Sequence, residues 1–227
     1  MHALHAGLAN DIGQFFAGNS TLLLNEGIGQ IILSAIAVAV SIAIGLPIGA
    51  AVGHMHRFSF IAVNGGNVLR ALPTLAVISV GVGIYGLGFT NILVAMVILA
   101  LPLILTNTYV AVEGADPGMV QAAQGMGMNP WQILWRVELP NSIPLIMAGV
   151  RTSWVYVVAT SYLGVFAAYP NTLGDVIQNI GSYGLGGVLA AAAVAIVIAF
   201  VGDGVLAIAQ RMLTPSGLKV VPVAAAA

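Results

Sequence analysis

Two charged side chains interrupt stretches that are otherwise apolar, and they are the first candidates for chemistry. Arg151 stands near the start of one long apolar run and Asp203 stands inside another. Ionisable residues in such surroundings pair with one another or face a cavity. This pair either braces the inner ends of its two segments or gates a transport path. Short polar groups form a second set. Asn107 with Thr106, Thr108 and Tyr109, and Ser161 with Thr160 and Tyr162, make two apolar runs unusually polar over part of their length. Such groups turn inward, where they either line a path or hydrogen-bond one helix to another.

Conventional catalytic sets are missing. Cysteine is absent, so disulfides, thiolate chemistry and Cys-based metal sites are excluded. His2, His5, His54 and His56 have no clustered carboxylates, and no metal site is expected. Neither a Ser/His/Asp set nor a carboxylate pair falls within the apolar runs, so no catalytic residue is expected. Gly81-Val82-Gly83-Ile84-Tyr85-Gly86 spells GxGxxG. A dinucleotide loop needs a strand before it, a helix after it and an acid about 20 residues on. These are lacking, and the glycines read as packing or bending positions. GxxxxGK[ST] does not occur, so any ATP is handled by another chain.

The elements that must position these residues follow from composition. Apolar residues make up 59% of the 227-residue chain and charged residues only 6%, with a mean hydropathy of +1.03. A soluble domain carries about 25% charged residues. Lipid must therefore cover most of the outside. Five continuous apolar stretches stand out, at about 31–53, 71–89, 92–112, 145–168 and 188–209. Each is long enough to cross a core of about 30 Å as a helix. The expectation is a single all-α integral membrane domain, 1–227, with five transmembrane helices. The residues before Glu26 lack the Lys or Arg of a signal-peptide n-region, and nucleic acid finds no basic stripe.

Orientation follows from the cations. Arg57, Arg70, Arg136, Arg211 and Lys219 fall in one set of loops and tails, with Arg151 just inside a span on the same side. The other set, including the tight turn near Thr90 and the 169–187 loop, carries only Asp11, Glu26 and Asp175. The positive-inside rule puts the N-terminus outside and the C-terminus in the cytoplasm. Gly45, Gly49 and Gly53 share a helix face in the small-xxx-small pattern, for packing within the chain or against a second subunit. Pro47 predicts a kink in the same run.

The cytoplasmic 113–144 loop is built rather than loose. Asp116-Pro117 and Asn129-Pro130 are two helix starts, an N-cap followed by proline at the first position. The first helix reaches Gly125 and Gly127. The second, through Trp131, Ile133, Leu134 and Trp135, stops before Pro140. Such a loop either lies on the bilayer as an amphipathic segment or is gripped by a partner.

Gln121-Ala122-Ala123, Gly127 and Val137-Glu138-Leu139-Pro140 resemble the cytoplasmic signature of ABC-importer permeases: Glu-Ala-Ala, three residues, Gly, nine residues, Ile-x-Leu-Pro. The spacing matches residue for residue, with Gln121 for Glu and Val137 for Ile. Arg70-Ala71-Leu72-Pro73-Thr74, Leu163-Gly164-Val165-Phe166, Gly184-Leu185-Gly186 and the 207–218 segment resemble the osmolyte-type branch, for glycine betaine, choline, carnitine or proline. The resemblance implies a type I importer permease fold whose coupling loop, with Gln121, Ala122, Ala123, Gly127, Trp131, Val137, Leu139 and Pro140, sits in a cleft of an ATPase subunit. It implies two cytoplasmic ATPase subunits that hold ATP and Mg, a second permease subunit, and an extracytoplasmic solute-binding protein docked on the 169–187 loop. An ion-coupled secondary transporter and a membrane scaffold are the rival readings.

Overall fold

The computed structural model of the chain describes residues 2–56 and 59–215. Arg57, Lys219 and the 216–227 end of the C-terminal segment lie outside the described residues, as do the side chains of His2 and His5. Every regular element among the described residues is helical. In chain order these are α1 (His2–Gly18), α2 (Ser20–Met55), α3 (Ser59–Ala71), α4 (Thr74–Tyr85), α5 (Phe89–Glu113), α6 (Pro117–Gly125), α7 (Pro130–Ile133), α8 (Leu139–Thr160), α9 (Gly174–Gln178) and α10 (Ile180–Leu213). A π-helical turn, Leu134–Glu138, joins α7 to α8, and a 3₁₀-helix, Ser161–Ala167, extends α8.

Among the described residues, four helical stretches are long and apolar enough to cross a membrane: Ser20–Met55, Phe89–Glu113, Pro130–Ala167 and Ile180–Leu213. The fifth expected span is a bent pair, with an 86° break between the leg ending at Ala71 and the leg starting at Thr74. Pro73 causes the break. It takes an extended conformation (φ −63°, ψ 123°), lacks an N–H to continue the helix, and disfavours helix at Leu72 before it. The 58–70 segment, expected as a loop, is thus mostly the helical leg α3. It leans on α5 through Gly66, and Arg70 donates to the Pro102 carbonyl at 3.1 Å.

Other boundaries move for identifiable reasons. The turn expected near Thr90 lies earlier, at Gly86 and Gly88, whose φ values of 75° and 112° suit glycine alone. The first span begins at Ser20 rather than near residue 31, because polar Gln30 is buried and satisfied. Its amide donates to the Val158 carbonyl at 3.0 Å and accepts from the Leu173 N–H at 3.2 Å. The helix expected to stop before Pro140 does not stop. In the π turn the Leu139 N–H reaches back to the Leu134 carbonyl. The widened turn makes room for Pro140, which lacks an N–H and would clash in a regular helix.

α5 lies at the centre, against α2, α3, α4 and α8, and α10 packs on α8. The core joins Leu33, Ile78, Ile92, Met96, Ile104, Trp154 and Val157. The glycine face of α2 packs within the chain, on α5. A Cβ at Gly49 would stand 2.7 Å from the Leu105 carbonyl oxygen, and one at Gly53 2.9 Å from that of Tyr109. Hydroxyls bond across helices beside this seam. Ser153 donates to the Ala100 carbonyl at 3.2 Å and Ser142 to that of Ala111 at 2.8 Å.

Gly49→Val should therefore force α2 off α5 by overpacking, at about 1–3 kcal/mol. A fall of roughly 2–10 °C in melting temperature in detergent is the expected outcome. An unchanged melting temperature would show that the seam has slack.

Candidate coupling segment and intramembrane ion pair

The 113–144 segment is a helix, a glycine turn and a second helical start, each closed by its own side chains. The Asp116 carboxylate accepts from the Gly118 N–H at 2.7 Å and caps α6. α6 ends at a left-handed residue, Gly127 (φ 80°). The Gly127 N–H bonds the Gln124 carbonyl at 2.9 Å and the Met128 N–H bonds that of Ala123 at 3.1 Å. That double bond pattern is a Schellman end. Asn129 and Gln132 then form a reciprocal capping box, with bonds of 2.8 and 3.0 Å, and start α7.

The signature residues divide between two faces. Ala123 is buried, and Val137, Leu139 and Pro140 are half-buried. Gln121, Ala122, Gly127 and Trp131 are exposed. Trp131 is 66% exposed, stacks edge-on with Trp135 at 5.6 Å between ring centroids, and shares its exposure with Met119 and Met126. Large apolar side chains so exposed at the end of a bundle mark an interaction surface.

This segment is bolted to the bundle from the inside. Leu134 and Leu139 pack with Ala50 of α2 and Val112 of α5. Glu138, 3% exposed, meets the His54 imidazole Nδ1 at 2.6 Å. His54 lies in the last turn of α2, and Glu138 stands at the variable position of the signature. Only the helix packing brings the two together.

Arg151 and Asp203 face each other across α8 and α10 in a bidentate pair. The Arg151 Nε–H donates to Oδ1 and its Nη2–H to Oδ2, both at 2.8 Å. A third donor, Nη1, reaches the Gln210 amide oxygen at 3.2 Å, and the Gln210 NH2 donates to the Pro144 carbonyl at 3.2 Å. The side chains stay 33% and 29% exposed. An arginine or aspartate facing hydrocarbon at a helix centre costs about 2.5–3.5 kcal/mol, and pairing the two offsets part of that cost.

The other polar groups of the spans are more enclosed. Ser161 is buried and donates to the Val158 carbonyl at 2.9 Å. Tyr109 is buried, and Asn107 is half-buried against Gly149 and donates to the Leu103 carbonyl at 2.7 Å. Tyr162 borders a cavity of about 380 Å³ between α8 and α10, which Gln30 and Phe200 also line.

Residues 41–215 match the family described as the inner membrane component of binding-protein-dependent transport systems. The chain belongs to this family. It is 31% identical, over 92% of its length and 97% of the relative's, to a glycine betaine/carnitine/choline transport system permease protein of Bacillus subtilis. A choline transport system permease protein of the same organism is 32% identical over 92% and 96% of the two chains. A carnitine transport permease protein of Listeria monocytogenes is 33% identical over 90% and 94%. The fold is that of the MetNI methionine ABC transporter in an inward-facing form, at a TM-score of 0.73 and 20% identity, covering 86% of this chain and 98% of that one. This ABC permease is thus a multi-pass membrane transport subunit, not an enzyme. Its family works with an ATPase and a substrate-binding protein.

His54→Ala should strand a buried carboxylate, at about 1–3 kcal/mol, and lower the melting temperature by several degrees. Adding Glu138→Gln should recover most of that loss. A double variant no more stable than the single one would show that the contact is idle.

Proposed function

We propose that the chain is the membrane permease of an ATP-driven importer for small quaternary-ammonium osmolytes, with glycine betaine, choline and carnitine as the solute class. The observation that carries this is the 121–140 segment. Its spacing matches the importer signature, and the same segment presents Trp131, Trp135 and Met126 outward at one end of the bundle. The names of the relatives supply the solute class.

In this reading two ATPase subunits hold ATP and Mg and each receives one such segment. A second permease, a copy or a sister chain, completes the membrane part. A solute-binding protein docks on the outside, where α9 lies, and selects the solute with an aromatic cage. The N-terminus is outside and the C-terminus cytoplasmic, as the placement of the cations requires.

Force has a direct route. The coupling segment, the π turn, α8 and its 3₁₀ extension run as one helical body from Pro130 to Ala167. A push on the Trp131 surface therefore moves the α8 residues beside the ion pair. Alternating access follows if two such bodies rock against each other.

Replacing Gly127 by valine should strain a left-handed position by about 1–2 kcal/mol and misplace the coupling surface. In proteoliposomes holding the permease, its ATPase and the binding protein, uptake should fall at least about tenfold, the rate equivalent of 1.4 kcal/mol. The variant permease should still insert. Wild-type uptake by the variant, or uptake by the permease without any ATPase, would overturn the proposal. The second outcome would favour an ion-coupled transporter.

A further inference from the structure

The Arg151–Asp203 pair lies in an open groove of about 400 Å³ between α8 and α10, lined by Ala148, Arg151, Thr152, Val155, Tyr156 and Asp203. The groove is not at a helix end. Arg151 stands about 18 Å along α8 from Leu139, and Asp203 about 15 Å short of Leu213, at 1.5 Å per residue. Half-buried Ala148 and exposed Thr152 and Tyr156 recur at helical spacing along one stripe of α8. Tyr156 is 53% exposed. The hydroxyls of Thr152 and Tyr156 contrast with the aliphatic surface of α10 nearby, where Val197, Val201, Val205 and Ile208 are exposed.

The chemistry of the groove is dipolar. Among the described residues, three of the five Arg151 N–H donors are engaged, by Asp203 and Gln210, and two are left for another acceptor. Asp203 supplies a negative charge beside them, and Tyr156 an aromatic face. A solute with a carboxylate at one end and a quaternary ammonium at the other complements this arrangement. The carboxylate meets the guanidinium, and the ammonium meets the ring and the aspartate. Because Arg151 and Asp203 already neutralise each other, the groove carries no net charge. It holds a zwitterion weakly, as a transit site must.

We infer that this groove is a low-affinity station for the solute on its way through the membrane, with Arg151 taking the carboxylate and Tyr156 with Asp203 the quaternary ammonium. The inference rests on the osmolyte reading above. Choline has no carboxylate and would use only the Tyr156–Asp203 half, so the two halves can be told apart.

The test is uptake of labelled glycine betaine and choline into proteoliposomes holding the permease, its ATPase and the binding protein. Tyr156→Ala should slow both solutes at least about tenfold, and Tyr156→Phe, which keeps the ring, should restore uptake to within about twofold. Arg151→Gln should shift the ratio of the two rates about tenfold or more toward choline. If that variant fails to assemble, the Tyr156 variants decide alone. Wild-type uptake by Tyr156→Ala overturns the inference, and so does an unchanged solute ratio in an assembled Arg151→Gln complex. Loss of the second permease from the Tyr156→Ala complex on size exclusion overturns it too, because the groove would then be a contact between permeases. A wild-type complex that imports neither solute overturns the osmolyte reading itself, whereas wild-type uptake with an insensitive groove overturns this inference alone.

Discussion

Hydrocarbon offers no hydrogen bonds and no solvation for charge, and almost every feature of this chain answers to that constraint. Helices satisfy their own backbones. What holds them together is close contact, and close contact needs small residues. The seam of Gly45, Gly49 and Gly53 lets α2 lie directly on α5, where a larger side chain would meet carbonyl oxygens at Gly49 and Gly53 and the Leu101 and Ile104 side chains at Gly45. Once α2 and α5 are joined, α8 packs on both, and α10 is placed through α8. The serines at the seams bond carbonyls of the neighbouring helix, so polar groups serve as cross-links rather than as liabilities.

The same constraint explains why irregular backbone appears where it does. Irregular backbone persists where neighbouring elements cover it. The break at Pro73 is braced by α3 and α5. The π turn at Leu134–Glu138 is held by Leu139, Ala50 and Val112, and by His54 against the buried Glu138. The π turn keeps the 130–133 helix and α8 in one continuous stretch, Pro130–Ala167.

Much of the fold was legible in the residues. Apolar runs mark spans because nothing else explains twenty residues without charge. Asp116-Pro117 and Asn129-Pro130 mark helix starts because proline and a capping side chain act locally, and Gly127 marks a turn for the same reason. Span ends were less legible. Gln30 looks like a boundary by polarity, yet two bonds to residues more than a hundred positions away let the helix run past it. Pro140 looks like a stop, yet one extra residue in the preceding turn carries the helix through. Gly86 and Gly88, rather than Thr90, make the turn, since their left-handed angles are a property of the closed structure.

The site divides in the same way. Composition and periodicity were sufficient by themselves for a membrane-spanning, all-helical chain with a structured segment between two spans, because these depend on transfer to lipid and on local turns. The bidentate Arg151–Asp203 pair, the His54–Glu138 contact and the groove beside Tyr156 were decided only by tertiary structure. Each joins residues from different helices, and which faces of two helices meet depends on the fit of all their neighbours. Charge and spacing along one chain named the participants. Packing alone set them 2.6 to 2.8 Å apart.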